Sequence, residues 1–407
     1  MTNLFLYRRN NNSIIRCLCI VAGLVILQPL YSQHKLTIIV SGSPQIHKGE
    51  PVFIAGNFNG WNPGNKDYQL ITINDSVFTV INSLSPGRYE FKFTRGDWQK
   101  VEATKDGKYI ANRVIDLVND TTVNFVVNGW SDDFTKTSKQ HTASSHVSII
   151  DTAFKIPQLN RNRRIWLYLP PGYEESKKKY PVMYLQDGQN VFDSYTSAFG
   201  EWGVDESTDS LIEEGSPACI IVAIDNGGNT RMNEYNPYTF TWKNANGDKT
   251  FIPEGNAYLD FIVNTLKPFI DQHYRTKTSK ENTCIAGSSM GGLISYYAAL
   301  KYSNVFGEAG IFSPAFWTAD GIKNLTDSAD NTLNAKLFFY MGEAEDKENA
   351  DLMNDIVQQL GKNSSSIIYS VTDPVGAHNE AAWRKWFPEF YKWIMASGFN
   401  VMAKEEN

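Results

Sequence analysis

Residues 284–297 read CIAGSSMGGLISYY, and one window within them, Gly287-Ser288-Ser289-Met290-Gly291, has the spacing G-x-S-x-G. Centring the pattern on Ser288 would need glycines where Ala286 and Met290 stand, so the register selects Ser289. An apolar strand pattern from Thr283 to Ala286 leads into the window, and Met290, Leu293, Ile294 and Tyr297 follow at helical spacing. A strand, a tight turn and a helix in that order lift a serine hydroxyl clear of a sheet, the glycines leaving room for the strained backbone. The chemistry expected of such a serine is acyl transfer. No lysine follows the window, which sets it apart from a phosphate-binding loop.

A serine hydroxyl is a weak nucleophile at neutral pH and needs a base, usually a histidine oriented by a carboxylate. In α/β-hydrolases the chain order is serine, acid, histidine. Of six histidines only His378 follows Ser289, in DPVGAHNEAAW directly after the strand pattern SIIYSVTD. That puts it on a loop at the carboxyl end of a sheet, where ligands of open α/β folds bind. His273 ends a helical segment and reads as structural. The acid belongs after KLFFYMG, where Glu343, Glu345 and Asp346 all qualify and spacing does not separate them. An oxyanion hole would use the backbone N–H of Met290 and a second N–H from the loop after PVMYLQ, at Gly188 or Gln189. Asp187 in that QDGQN stretch reads as a turn former. No spacing of histidine, cysteine or acid suggests a metal site, and no cofactor is implied.

The elements that must position these residues form an α/β pattern. Near-continuous apolar strands (PVMYLQDG, ACIIVAIDN, TCIAGSS, EAGIFSPA, KLFFYMGE) alternate with helices near 256–273, 290–303 and 347–361 and a last one after 380, predicting a mostly parallel sheet covered on both faces. Pro388 is expected to start a new turn or kink that last helix. Ahead of this, residues 35–127 read as short strands separated by turns, the pattern of a small antiparallel β-sandwich. Between them, 131–146 carries seven Ser or Thr and reads as a linker. The expected organisation is a leader over 1–32, a sandwich over 33–130, the linker over 131–146, an α/β-hydrolase domain over 147–398 and a tail over 399–407.

Arg8, Arg9 and Arg16 precede an uncharged apolar run from Cys17 to Leu27, and Ser32 ends Leu30-Tyr31-Ser32: the layout of a signal peptide, too short for a stable membrane span. Its removal takes away three arginines and no acids, moving the formal charge from −6 to −9, which disfavours nucleic acid as a partner. The expected location is secreted or periplasmic, with no stable membrane span after cleavage. Cys219 and Cys284 remain, each in an apolar strand pattern, and are expected as unpaired core residues.

The C-terminal 250 or so residues resemble the esterase family that includes enterochelin, feruloyl and acetyl-xylan esterases, S-formylglutathione hydrolase and mycolyltransferases. The resemblance rests on LPPGY, YPVMYLQDGQNVFD, RMNEYNP, CIAGSSMGG, IFSPAFW and GAHNEAAWR. It implies Ser289 as nucleophile, His378 as base and Glu345 as acid, with Asp346 the alternative acid. The N-terminal VFIAGNFNGWNP, GRYEFKFTRGDW and GKYIANRVI resemble the glycogen- and starch-binding modules of carbohydrate-binding family 48. That resemblance implies sugar stacking by Trp61 and Trp98, with Lys92 and Asn112 as polar contacts. Alternation along RYEFKF points Lys92 away from the sandwich core. Together these predict a serine esterase acting on acetyl or feruloyl-type esters of carbohydrate. The alternatives are a siderophore esterase, for which Arg231, Lys243 and Arg384 could line a basic cleft, and a glycan-binding protein whose hydrolase domain no longer reacts.

Overall fold

The computed structural model describes residues 33–396, apart from 45, 46, 48, 75, 76, 109, 111, 135–139, 198, 199, 243–247 and 346. The expected leader and the expected tail lie outside the described residues. Two compact units divide the chain, 1–134 and 135–407.

The first unit is built from β1 (His34–Gly42), β2 (Phe53–Gly56), β3 (Ile71–Asn74), β4 (Val77–Leu84), β5 (Gly87–Thr94), β6 (Glu102–Ala103), β7 (Arg113–Leu117), β8 (Thr121–Val126) and β9 (Gly129–Trp130). They form sheets of order β3-β4-β1-β8 and β2-β5-β7 and a short β6-β9 pair. Pairing is antiparallel except between β1 and β8. Alternate residues of the strands fill one core, Leu36, Ile38 and Val40 from β1 meeting Phe91 and Phe93 from β5.

The second unit carries β10 (Val147–Ile156), β11 (Arg161–Tyr168), β12 (Val182–Gln186), α1 (Val204–Glu213), β13 (Ile220–Ile224), α2 (Arg231–Glu234), β14 (Phe240–Trp242) and β15 (Lys249–Phe251). There follow α3 (Gly255–Phe261), α4 (Lys267–His273), β16 (Thr283–Ser288), α5 (Met290–Lys301), β17 (Glu308–Phe312), α6 (Ile322–Asp327), β18 (Lys336–Gly342), α7 (Lys347–Asn363), β19 (Ile367–Asp373) and α8 (Glu380–Met395). Eight strands form one sheet, β10-β11-β13-β12-β16-β17-β18-β19, parallel from β13 to β19 with β10 and β11 antiparallel at one edge. This is an α/β-hydrolase architecture.

The apolar strands are explained by burial on both faces. On β12, Val182 and Tyr184 join the core beneath α5, while Met183 and Leu185 join the core beneath α8. Cys219 and Cys284 are buried and unpaired, as their apolar runs suggest. The helix expected over 256–273 is interrupted by a π-turn at Ile262–Leu266, and α8 runs through Pro388 as one element. In chain order the sheet grows from β12 to β13 on one side and then from β16 on the other, so the switch point lies between the carboxyl ends of β12 and β16.

The Ser/Thr-rich segment is tied down where it is described. Asp132 pairs with Arg95 in the first unit. In the second, His141 Nδ1 and the Thr142 N–H both reach Asp193, at 2.7 and 3.1 Å, and the Ser144 N–H donates to Asp205 at 2.6 Å.

Candidate active site

Ser289 sits between β16 and α5 at φ 58°, ψ −121°, a backbone region that a residue with a side chain adopts only under constraint. Four neighbours supply that constraint. Its N–H donates to Phe312 O at 2.9 Å, and its carbonyl accepts from the Leu293 and Ala315 N–H groups, each at 3.0 Å. The fourth is the fit at Gly287, where a Cβ would lie 2.9 Å from the Gln186 side chain and from the Gly291 backbone. Ser288 ends the strand as a buried residue, whereas Ser289 is half-buried. The two serines thus differ in access as the glycine register predicts.

His378 lies on the loop between β19 and α8, and its Nδ1 is 2.8 Å from Glu345 Oε2. With Nδ1 engaged, Nε2 is the nitrogen left to serve a hydroxyl. Glu345 is itself buried and held through its other oxygen, which accepts from Ser313 Oγ at 2.5 Å and from the Gly342 N–H at 3.2 Å. Trp383 completes the chain, donating from Nε1 to Ser313 Oγ at 2.9 Å while its ring meets the imidazole edge-on at 5.2 Å. Of the other two carboxylates, Glu343 is exposed and Asp346 lies outside the described residues. Among the described residues no hydrogen bond joins Ser289 to His378. Such contacts commonly tighten only around substrate.

Neighbouring atoms crowd the His378 ring and disfavour its charged form, although 46% of the side chain reaches solvent. The Glu345 hydrogen bond and charge outweigh that crowding and hold the pKa above the usual 6.5, Arg231 opposing and Glu380 adding to the effect. Glu380, buried at the start of α8, has its own pKa raised by burial first and then by Asp187, against the pull of His378 and Arg231. His378, Glu345, Arg231, Glu380 and Asp187 therefore share one site.

The loop after β12 carries the second pair of candidate donors. Asp187 takes a left-handed conformation, φ 56°, ψ 47°, and starts the helical turn Gly188–Asn190. The first amides of a helical turn, like that of Met290 at the start of α5, have no acceptor within their own turn. Gly188 has to be glycine, because a Cβ would lie 2.8–2.9 Å from the backbone of Ala223, Ile224 and Asp225. Asp187 shapes the turn as expected, and its carboxylate does more. Arg231 grips it through Nε and Nη2 at 2.7 and 2.8 Å, and Asn226 Nδ2 donates to it at 2.7 Å. Arg231 is thus committed to Asp187, Arg384 reaches Glu201 at 3.4 Å, and Lys243 lies outside the described residues. A depression of about 400 Å³ along β10 and β11 meets this cluster only at Asn226.

Ser313, Trp383, Asn226 and Glu380 received no role from the sequence, while Asp187 was expected only as a turn former and Arg231 only as a candidate lining of a basic cleft. Ser313, Asp187, Arg231, Glu380 and Trp383 nevertheless all fall inside the stretches IFSPAFW, YPVMYLQDGQNVFD, RMNEYNP and GAHNEAAWR that carry the family resemblance.

In the first unit, Trp61 and Trp98 come together with ring centroids 6.3 Å apart and a 37° tilt, Trp98 being 39% exposed. Lys92 takes the strand face opposite Phe91 and Phe93 but is buried, its amine on the Ile110 carbonyl. Burial draws its pKa down to about 8, Glu102 resisting and Arg113 assisting. Asn112 donates to Glu90 at 3.2 Å.

The family model described as "Putative esterase" matches residues 156–394. The chain belongs to that esterase family. It is a carboxylic ester hydrolase. The protein YbbA of Bacillus subtilis is 26% identical over 209 residues, covering 51% of this chain and 78% of that one. An endo-1,4-beta-xylanase/feruloyl esterase of Xylanibacter ruminicola is 24% identical over 250 residues, covering 59% of this chain and 30% of that one. Among solved structures, the enterobactin esterase of Shigella flexneri aligns with a TM-score of 0.51 at 16% identity, over 90% of this chain and 94% of that one, a likeness of fold.

Proposed function

We propose that this esterase works through an acyl-serine intermediate on Ser289 and that its substrate is an acyl ester, acetyl or feruloyl in type, on carbohydrate. The observation that carries the mechanism is the 2.8 Å contact of His378 Nδ1 with Glu345, across the sheet end from a serine in a strained, half-buried turn. Ser289 Oγ attacks the ester carbonyl carbon while its proton passes to His378 Nε2. The carbonyl oxygen becomes an oxyanion facing the N–H groups of Met290 and of Gly188 or Gln189. Collapse breaks the bond to the alcohol oxygen, which leaves with the proton from His378. Water then attacks the acyl-serine by the same steps in reverse, giving the free acid and Ser289 again. Glu345 holds the imidazole tautomer and stabilises the imidazolium.

The carbohydrate assignment draws on the paired Trp61 and Trp98 rings, which suit stacking on a sugar, and on the signal-peptide pattern of residues 1–32, which points to a secreted or periplasmic protein. Lys92 and Asn112 enter that reading as flanks to the tryptophan pair. Siderophore-ester hydrolysis is less favoured because Arg231 and Arg384 already have carboxylate partners. Comparison of kcat/KM on acetylated and feruloylated glycans, a catecholate trilactone and p-nitrophenyl esters tests the assignment. A trilactone preferred over every glycan ester would reverse it, and no turnover of any ester would leave an inactive glycan-binding protein.

A further inference from the structure

Strands β13 and β17 are separated in the sheet by β12 and β16. Three strand spacings place their carboxyl ends about 14 Å apart. The segments that follow them nevertheless touch. From β17 comes the turn Phe316–Thr318, fastened to the candidate nucleophile's turn by the Ala315 N–H on Ser289 O at 3.0 Å and by Thr318 Oγ1 on Met290 Sδ at 3.5 Å. From the β13 side comes the β14–β15 hairpin, and the segment leading into it is joined to that turn by Asn236 Nδ2 on Thr318 O at 2.9 Å. The two segments meet through rings. Trp317 lies 5.4 Å from Phe240 at 84° and 5.7 Å from Trp242 at 88°, and Phe251 backs Phe240 in a stacked contact at 6.1 Å. To meet, they bridge the interval occupied by the ends of β12 and β16, the strands from which Asp187-Gly188 and Ser289 emerge.

Rings serving only as a staple between two segments would bury themselves. Trp317 keeps 43% of its surface open, and Phe240 and Trp242 are half-buried. Near-perpendicular rings that keep part of their surface open form a corner into which a further planar ring fits edge-on or offset-stacked. The hydrolytic chemistry uses none of them.

We propose that Trp317, Trp242 and Phe240 form a wall of the substrate cleft that holds a planar aromatic ring carried by the ester. The inference rests on the proposed reaction at Ser289 and gives that site its substrate class. It is tested with matched esters on the full chain: methyl 3-phenylpropanoate against methyl 3-cyclohexylpropanoate for a ring on the acyl side, and benzyl acetate against cyclohexylmethyl acetate for a ring on the alcohol side. Members of each pair have similar bulk and reactivity and differ in planarity. The wild-type protein should favour the aryl member of at least one pair by about tenfold in kcat/KM, in line with the strength of aromatic stacking. Trp317→Ala and Trp242→Ala should each bring that ratio towards one. A wild-type ratio near one in both pairs overturns the proposal without any variant, as does a ratio that survives both substitutions. Ser289→Ala separates the two readings: if it keeps full turnover, the reaction assignment fails, whereas loss of turnover together with a flat ratio rejects only the aromatic wall.

Discussion

At the scale of single residues, the site is defined by what each side chain can reach. Ser288 and Ser289 are chemically identical, and the backbone alone separates them, one completing a buried strand and the other standing in a positive-φ turn. Ser289→Ala is expected to lower kcat by roughly 10⁴–10⁶, while Ser288→Ala stays near wild type. Initial rates on a p-nitrophenyl ester read both. For His378 the sign follows from the pKa shift. The base must be neutral, its pKa is raised above 6.5, and kcat/KM should therefore fall with acidification through a pH above 6.5. Glu345→Gln removes the main group that raises it, leaving the crowding around the ring and the weaker pull of Glu380. The acid limb should then move to lower pH while kcat drops by about 10²–10⁴. An unchanged limb and rate would mean a serine-histidine dyad.

At the scale of elements, the loop after β12 carries the clearest consequence. Arg231 on α2 holds Asp187 and through it the turn that presents Gly188 and Gln189. Arg231→Gln should cost about 10–100-fold in kcat with a smaller change in KM, because misplacing the proposed oxyanion donors weakens the transition state most. It should also destabilise the fold by roughly 2–4 kcal/mol by leaving a buried carboxylate with only the Asn226 amide and no cation beside it. Adding Asp187→Asn should restore stability more than rate, as thermal melting and kinetics together would show. A second test lies at the far end of the sheet, where burial raises Glu308 on β17 to about 8 against the pull of Lys336. Protonated in the fold and ionised when unfolded, it loses stability as pH rises from about 4.5 to 8. Glu308→Gln should therefore raise Tm at pH 9 and leave it nearly unchanged at pH 4.

The same scale shows what the sequence made legible. β12, β16, β17 and β18 announce themselves as short apolar runs because both their faces are covered, and α5 follows from its spacing. β10 does not, since exposed and half-buried residues follow one another along it without a period of two and its register shifts twice against β11. The β14–β15 hairpin is too short to show a period. Ser289, His378 and Glu345 can be nominated from the sequence because chain order and the family motif constrain them. The hold of Ser313 on Glu345 and of Arg231 on Asp187 cannot be read that way, because these contacts join residues 32 and 44 apart in sequence. The reading of Arg231 as a free cleft cation failed for the same reason: its partner Asp187 belongs to another loop.

At the scale of the whole molecule, 140–146 belongs by its hydrogen bonds to the second unit, so a hydrolase fragment should begin ahead of Gln140. Such a fragment is expected to fold and to keep small-ester kcat. One beginning at His146 discards the contacts to Asp193 and should melt lower, which calorimetry would detect. In the full chain, Trp61→Ala with Trp98→Ala should abolish pull-down on an insoluble glycan without altering small-ester kcat. Retained binding would move the sugar contact elsewhere. The central claim is that Ser289 becomes covalently acylated. Its most direct test is to treat the full-length protein with an aryl phosphonate ester that traps serine hydrolases, digest it, and locate the adduct by mass spectrometry. The account predicts one stoichiometric adduct on Ser289, lost in Ser289→Ala and formed far more slowly in His378→Ala. An adduct on Ser288, or none in a protein that still hydrolyses esters, would contradict it.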